Sequence, residues 1–439
     1  MLVIISDLHL TDGTSGQTVK RGAFQIFAER LEELARDASK RKDGKYKPIQ
    51  QIDLVLLGDI LDVIRSTTWN RPTCQVRPWG DSCGREFVDQ VKYVTDRILA
   101  HNRDSLDILK SLKSSILIAS SDTSGQQSRV AVPVRIFYLV GNHDWFYHLP
   151  DARFDAMRRR IIDAIGLANS PNTPFPHDPQ NWPDLVASYK QHRVFARHGD
   201  IFDPDNYENN TRDGSSIGDA IVIELINKFT LLIQSDPQLP HTCKEALREI
   251  DNVRPLMMIP AWVYGTIQKR CGRYGHRVVQ AWRQVARDFL GVRFVKRHHL
   301  LLNPLRDVSK LAWGLKLSRV LPLKIISAVA VRASGGRDRP SYRDTRTEKW
   351  LGTCDAQYIV YGHTHRPLIV PLRATVDSET VDQIYFNSGT WRPVHELAQL
   401  QHNQQQFVGY HVMTYLAFFD GDEFHGRGFD SWSGTLDTE

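Results

Sequence analysis

The sequence contains few cysteines and no long apolar run. Five cysteines among 439 residues lack the spacing of zinc-binding or disulfide-rich domains, so we expect reduced thiols. These cysteines are Cys74, Cys83, Cys243, Cys271 and Cys354. No stretch reaches the roughly 18 uninterrupted apolar residues that a transmembrane helix needs. The opening MLVIISDLHL lacks the basic start and cleavage site of a signal peptide, which favours a first strand and a cytoplasmic protein.

Positive charge is concentrated in one part of the chain. Residues 241–346 contain 22 Lys and Arg against 7 Asp and Glu, an excess of +15 in a protein whose net charge is +6. The remainder of the chain is therefore acidic. This asymmetry predicts an anionic partner, whether nucleic acid, a membrane surface or a phosphorylated substrate. A well-solvated helical face is the alternative interpretation.

Short apolar strands alternate with amphipathic helical patterns along much of the chain. The strands are LVIIS (2–6), DLVLLG (53–58), RIFYLVG (135–141), RVFARHG (193–199) and AQYIVYG (356–362). Helical patterns follow the early strands at 22–40, 86–114 and 151–166. This alternation predicts an α/β fold.

Residues 205–346 interrupt that alternation, because they contain helical patterns and few strand signals. We therefore expect a core formed by 1–204 and 347–439, with 205–346 inserted as a helical, basic cap. Within the insertion, residues 305–335 alternate apolar and cationic side chains, and Pro322 should divide them into two short helices.

Each predicted strand ends in side chains that can bind metals. These are Asp7 and His9, Asp59 and Asp62, Asn142, His143 and Asp144, His198 and Asp200, and His363 and His365. Ligands in open α/β sheets bind beyond the carboxyl ends of the strands, so we expect these groups to converge. Nitrogen and oxygen ligands without thiolates favour Mn²⁺, Fe or Zn²⁺.

The order of these motifs resembles the calcineurin-like metallophosphoesterase superfamily, over residues 4–204 and 354–391. The resemblance implies a four-layer α/β/β/α sandwich of two mixed sheets that holds two divalent ions, with Mn²⁺ as the first expectation. It implies this ligand set: Asp7, His9 and His365 on one metal, Asn142, His198 and His363 on the other, and Asp59 as the bridge. The implied activity is that of a metal-dependent phosphoric ester hydrolase.

The same resemblance leaves His143 uncoordinated, as a proton donor to the leaving oxygen. Asp144 is expected to hold the other nitrogen of His143. Asp62 and Asp200 are expected to orient ligands, with capping or turn roles as the alternative. Two further residues follow the metal loops and would contact substrate phosphate or serve only as capping and surface groups: Arg366 and Asn387.

The segments SDLHL, HGD and GHTHRP most resemble the UDP-2,3-diacylglucosamine pyrophosphatases, which also insert a basic, apolar lid before the last segment. We expect hydrolysis of a phosphodiester or pyrophosphate by a metal-bridging water, with the insertion as a substrate lid. The lid is also expected to contact an anionic membrane surface through 241–346, as a peripheral protein. Two alternatives stay open: a nucleic-acid phosphodiesterase, and a non-catalytic module that only binds phosphate.

Overall fold

Two mixed β-sheets form the centre of the computed structural model, which describes residues 1–81, 84–121, 127–298, 300, 306–333, 341–352, 355–376, 379–401 and 404–436. The strands are β1 (Leu2–Ile5), β2 (Ile52–Leu57), β3 (Leu117–Ser121), β4 (Gln127–Ala131), β5 (Val134–Leu139), β6 (Val194–Ala196), β7 (Val253–Arg254), β8 (Tyr358–Tyr361), β9 (Leu368–Val376), β10 (Glu379–Asn387), β11 (Pro393–Gln401), β12 (Gln404–Phe418) and β13 (Phe429–Thr435).

The helices lie mainly between β1 and β8 in the chain. They are α1 (Arg21–Ala38), α2 (Arg85–His101), α3 (Arg103–Ser115), α4 (Asp155–Ile165), α5 (Pro183–Gln191), α6 (Ile217–Ala220), α7 (Lys228–Ser235), α8 (His241–Arg248), α9 (Ile259–Thr266), α10 (Gly275–Gly291), α11 (Arg293–Arg297), α12 (Asp307–Leu317) and α13 (Leu323–Ala333). A π-helical segment, Ile221–Asn227, joins α6 to α7.

The larger sheet has the order β5-β2-β1-β12-β11-β7, with β13 also paired to β12. Strands β5, β2 and β1 are parallel, whereas β12 is antiparallel to β1, β11 and β13. The smaller sheet has the order β6-β8-β10-β9, in which only the β10–β9 pair is antiparallel. Strands β3 and β4 form a separate hairpin.

The two sheets pack face to face through an apolar cluster. From the larger sheet it takes Leu2, Ile4, Val55, Leu57, Phe137 and Leu139, and from the smaller sheet Val194, Ala196, Tyr358, Val360 and Phe386. Side chains alternate along a strand, so Val3, Ile5 and Leu54 point to the other face of the larger sheet, where they pack against α1 to α4. The predicted mixed α/β class is confirmed.

The outer face of the smaller sheet is covered by residues 341–352, which form short 3₁₀ turns. Tyr342 and Trp350 pack there against a cluster that contains Ile359 and Tyr385. From one side of the molecule to the other, the order is therefore short helical turns, small sheet, large sheet and helices.

Most of the predicted elements are present with shifted ends. The helical pattern at 86–114 is divided at Asn102 into α2 and α3, and Pro322 separates α12 from α13 as predicted. The sequence did not predict the two-residue strand β7, which pairs in parallel with β11 at the sheet edge.

The insertion has its own apolar core and is anchored deeply in the rest of the fold. The core includes Phe229, Trp262, Trp282, Val285, Leu311 and Leu315. The buried amide of Asn227 donates to the carbonyls of Ile64 (2.8 Å) and Ser66 (3.1 Å) and accepts a hydrogen bond from Ser15 (2.5 Å). None of the helices in the described ranges combines the length and apolarity needed to cross a bilayer.

The expectation of reduced thiols is wrong for one pair of cysteines. Cys243 on α8 and Cys271 at the end of the segment after α9 form a disulfide, with their Cα atoms 4.9 Å apart. They are separated by 28 positions, a spacing that carries no sequence signal because only the packing of α8 on that segment brings them together. Cys74 is a free thiol, and Cys83 and Cys354 lie outside the described residues.

Candidate metal centre

The loops after the parallel strands are joined by backbone hydrogen bonds. The amide of Asp7 donates to the carbonyl of Gly58 (3.1 Å), and that of His9 donates to the carbonyl of Asp59 (2.9 Å). This pairing places the side chains of the first two strand ends beside each other. Gly141 after β5 is equally close, because a Cβ atom there would collide with the Asp59 carboxylate and lie 2.7 Å from the ring of His198.

Five of the predicted ligands have left-handed backbone conformations. Their φ values are between 43° and 67°, in a region that residues other than glycine adopt rarely. They are Asp7, His9, Asp59, His363 and His365. Such strain persists only where the surrounding structure enforces it, and it concentrates at functional sites.

One group of potential ligands consists of Asp7, His9 and His365. The Nε2 atoms of the two histidines are 2.9 Å apart, and Oδ1 of Asp7 is 3.8 Å from the first and 3.5 Å from the second. Two ligands bound to one ion at about 2.1 Å lie about 3.0 Å apart in octahedral and about 3.4 Å apart in tetrahedral geometry. Oδ1 of Asp7 is buried and has no hydrogen-bond partner among the described residues. This group fits a divalent cation.

A second group consists of Asn142, His198 and His363. Nδ1 of His198 contacts the carbonyl of Leu57 (3.0 Å) and must donate to it, which leaves Nε2, 3.2 Å from Oδ1 of Asn142, as its nitrogen for a metal. Nε2 of His363 is 3.0 Å from Oδ2 of Asp203, so Nδ1 is its nitrogen for a metal. Both histidines therefore have tautomers that suit ligation.

Asp59 lies between the two groups. Its Oδ2 is 3.6 Å from Nε2 of His9 and 3.3 Å from Nε2 of His198. The side chain is almost completely buried, which raises its pKa, but the charges of His198 and His143 outweigh burial and hold the pKa well below its usual range. An ionised carboxylate at this point can be shared by two cations.

The two histidines of the first group, His9 and His365, have pKa values shifted in opposite directions. Burial lowers the pKa of His9, but Asp62 and Asp7 outweigh burial and raise the pKa to about 9. Burial and the nearby charge of Arg254 instead hold the pKa of His365 well below its usual value. Negative charge thus accumulates around His9, as expected of a cation-binding site.

Asp62 orients two histidines at once. Its Oδ2 is 2.9 Å from Nδ1 of His9, and its Oδ1 is 2.8 Å from Nδ1 of His143. The amide of His143 also donates to Oδ1 of Asp59 (2.8 Å). His143 borders the cavity described below, and its side chain is 14% exposed. Nε2 is consequently the nitrogen of His143 that is available to a molecule bound in the cavity.

The predicted contact between Asp144 and His143 is wrong. The carboxylate of Asp144 instead accepts hydrogen bonds from the hydroxyl of Tyr138 (2.6 Å) and the amides of Ile60 (2.9 Å) and Gly141 (2.6 Å). Burial and the charge of Asp59 raise the pKa of Asp144 to about 6. The carboxylate of Asp144 therefore connects the loops after β2 and β5 and does not hold the ring of His143.

The remaining predicted residues have structural contacts. Asp200 pairs with Arg212 and with His177 (3.0 Å) and has no hydrogen bond to a ligand histidine among the described residues. Arg366 is paired with Glu396 (2.6 Å). Asn387 is buried, and it holds the loop after β8 by donating to the carbonyl of Gly362 (2.7 Å). The capping and surface alternatives describe Arg366 and Asn387 better than contact with phosphate.

A cavity of about 580 Å³ opens over the two ligand groups. One wall belongs to the core and includes Asp59, His143 and His363. The opposite wall belongs to the insertion and includes Ile221, Val222, Arg254, Leu256, Val308 and Lys310. Residues of the core and of the insertion therefore line this cavity together.

Two residues at this cavity were missed by sequence reasoning. Asp203 follows HGD by only three positions, a proximity that could have identified it. Arg254 lies 111 positions before His365, yet its Nη2 is 2.9 Å from Nδ1 of that histidine. No local pattern marks Arg254, since its position depends on the pairing of β7 with β11.

Neither a family model nor a curated protein matches this sequence. The chemistry of the two ligand groups and the cavity above them is therefore the basis for assigning a function.

Proposed function

We propose that this protein is a calcineurin-like phosphoesterase that hydrolyses a phosphodiester or pyrophosphate bond with two divalent metal ions. The observation that carries the proposal is the position of Asp59, whose Oδ2 lies within 3.6 Å of nitrogen atoms in both ligand groups. Two packed mixed sheets with helices outside agree with the sandwich of that superfamily. Mn²⁺ is the proposed metal, with Fe and Zn²⁺ as alternatives for these nitrogen and oxygen ligands.

Bound divalent ions supply Lewis acidity toward a phosphoryl group and acidify water. The residues of this chain hold and orient those ions: Asp62 fixes the ring of His9, and Asp203 fixes the ring of His363. His143 supplies the proton. Its Nδ1 is held by Asp62, so its Nε2 faces the cavity and can donate to a leaving oxygen.

The insertion gives the cavity a mixed character that fits an amphipathic substrate. Its wall combines the apolar side chains of Ile221, Val222 and Leu256 with the cations Arg254 and Lys310. An anionic phosphoester joined to an apolar group would place its charge beside the ligand groups and its apolar part against the insertion. The proposed role of the insertion is therefore that of a substrate lid.

The proposal extends to peripheral contact with an anionic membrane. Val320 is 77% exposed between α12 and α13, and Ile325 and Val329 on α13 are 46% and 53% exposed. The cations Lys316, Arg319 and Lys324 lie in the same stretch. Apolar side chains that project among cations suit an anionic lipid surface.

The Cys243–Cys271 disulfide indicates the kind of compartment in which the protein would contact a membrane. Disulfides persist mainly in oxidising compartments. This bond favours a more oxidising location than the cytoplasm predicted from the sequence, at the periphery of a membrane.

The test combines metal analysis with a substrate screen. We expect two transition-metal ions per chain and hydrolysis of a generic aryl phosphodiester with added Mn²⁺, both lost on chelation. Asp59→Asn should lower both metal content and rate, because the shared negative charge is removed. Full phosphate binding by metal-loaded protein without turnover on any phosphoester would instead identify a non-catalytic module, and cleavage of single-stranded nucleic acid alone would identify a nuclease.

A further inference from the structure

Arg254 reaches the candidate metal centre from the insertion. It forms the second residue of β7, where it is paired with Glu396 of β11 in the register of the larger sheet. Its side chain borders the same cavity as Asp59, His143 and His365. The backbone of Arg254 is thus fixed by the core although the residue belongs to the lid.

The guanidinium of Arg254 has no carboxylate partner. Nη1 donates to the carbonyls of Asp251 (2.5 Å) and Val253 (3.1 Å), and Nη2 is 2.9 Å from Nδ1 of His365. Within the described ranges, no ion pair includes this arginine. Arg306, which borders the same cavity, is by contrast paired with Asp205.

The side chains around Arg254 act on its charge in both directions: the cation of Arg392 opposes it, whereas the carboxylates of Asp7 and Glu396 favour it without a direct ion pair among the described residues. Arg65 and Arg392 are both buried, and both pair with the single carboxylate of Asp251. These two guanidinium groups therefore share one directly bonded carboxylate, and in the part of the chain that the structure describes Arg254 donates only to main-chain carbonyls and to His365. A partly buried cation without a counter-ion is unfavourable, so an anion in the cavity would be stabilised there.

The contact between Arg254 and His365 requires that Nδ1 of the histidine carries no proton. A guanidinium can only donate hydrogen bonds, so Nδ1 of His365 must accept from Arg254. If Nε2 of His365 binds a metal, the proton of the neutral ring moves to Nδ1, which can no longer accept. A metal held by Nε2 of His365 would therefore leave Nη2 of Arg254 free to donate to an anion in the cavity.

We propose that Arg254 forms an anion subsite that binds a non-bridging oxygen of the substrate phosphoryl group. This inference rests on the proposed function and adds a residue of the insertion to the phosphate-binding groups. The ligand class is a phosphoryl oxyanion, for which inorganic phosphate is the simplest probe. Arginine suits this role because its planar fork makes charge-assisted hydrogen bonds to phosphate oxygens.

The experiment measures phosphate affinity by calorimetry for the Mn²⁺-loaded full chain and for three variants, together with their metal content. Arg254→Gln should weaken phosphate binding by about 10- to 100-fold, the usual effect of losing a hydrogen bond to a charged group. Arg254→Lys, which keeps the charge and is the safer variant for folding, should weaken binding less than Arg254→Gln. Arg277→Gln is the matched control, since Arg277 also belongs to the insertion but pairs with Asp236, away from the cavity.

The outcomes separate the two proposals. A wild-type protein that neither binds metals nor hydrolyses an aryl phosphodiester contradicts the proposed function itself. A wild-type protein that does both, with unchanged phosphate affinity in Arg254→Gln and Arg254→Lys at full metal content, overturns the anion subsite alone. If Arg254→Gln does not fold, unchanged affinity in Arg254→Lys is sufficient to reject the subsite.

Discussion

Nε2 of His363 is held by the carboxylate of Asp203 at 3.0 Å. Asp203 lies just beyond the short 3₁₀ turn Asp200–Phe202, close to where the core passes into the insertion. The contact fixes the ring of His363 with Nδ1 directed at the group that contains Asp59 and His198. The last residues of the core before the insertion thereby set the orientation of a predicted metal ligand.

Asp203→Ala should weaken binding of the second metal by about 10- to 100-fold, the usual cost of losing such a supporting carboxylate. The first metal should be retained, because Asp203 has no hydrogen bond to Asp7, His9 or His365 among the described residues. Stepwise metal titration followed by elemental analysis measures both sites. Asp205→Ala, which removes the partner of Arg306 at the same cavity, should leave both affinities unchanged. Equal loss of both metals in Asp203→Ala would contradict this assignment.

His143→Ala should keep both metals and lose roughly 10²- to 10⁴-fold in turnover on a substrate with a poor leaving group. His143 belongs to neither of the two proposed metal sites, and its Nε2 is the proton source in the proposal. On an aryl ester whose leaving group needs no protonation, the loss should be small. A similar loss on both substrates would show that His143 does not act as the acid.

Asp62→Asn should differ from His143→Ala, because Asp62 contacts both His9 and His143. We expect lower occupancy of the first metal in addition to slower turnover, and the turnover defect should persist with the good leaving group. Metal content and the ratio of rates on the two substrates measure this. A variant with full metal content and a defect confined to the poor leaving group would limit the role of Asp62 to His143.

The stability of the protein should depend on pH through Asp219, at the start of the insertion. Burial raises the pKa of this carboxyl to about 6. The folded state therefore keeps the proton at a pH where the unfolded chain, with a pKa near 3.9, has lost it. The contribution of Asp219 to stability is present below about pH 4 and declines as the pH rises toward 6.

The isosteric variant Asp219→Asn removes this titration. Relative to wild type, it should gain up to about 3 kcal/mol in free energy of unfolding between pH 4 and pH 7, the equivalent of about two pKa units. Urea unfolding of both proteins at pH 4.5 and pH 7.5 measures the difference. A difference that does not change with pH would show that Asp219 titrates normally in the folded protein.

Val320→Asp should abolish binding to anionic vesicles and leave hydrolysis of a generic aryl phosphodiester intact. Val320 is the most exposed of the large apolar residues in the described ranges, and an added carboxylate is repelled by anionic lipid. Val408→Asp is the control, since Val408 on β12 is 40% exposed but lies outside α12 and α13. Vesicle flotation with and without competing single-stranded DNA measures binding. Steeply salt-dependent DNA binding with no vesicle affinity would favour nucleic acid as the partner.

The strands and the ligand side chains at their ends could be predicted because both depend on local pattern. An apolar run followed by Asp7 and His9, or by His363 and His365, predicts a strand and the end that carries candidate ligands without knowledge of the rest of the fold. The bridging position of Asp59 followed from a resemblance, and the structure places this residue between the two groups.

The supporting contacts could not be predicted because they depend on side-chain direction and on distant pairing. Asp144 is next to His143 in the sequence, yet Asp62, 81 positions away, contacts the ring. Arg254 reaches the site only because two residues of a long insertion pair with β11.

The left-handed backbone at five potential ligands has a consequence for how this chain responds to selection. A left-handed conformation costs about 1–2 kcal/mol per residue other than glycine, relative to a right-handed one. The packing of the apolar core must offset this cost at the five positions. Glycine at Asp7 or His9 would remove this backbone cost but would also remove the buried hydrogen bonds of Asp7 with His363 and of His9 with Asp62. If these residues bind metals as proposed, selection for that binding would keep aspartate and histidine where the backbone conformation by itself favours glycine.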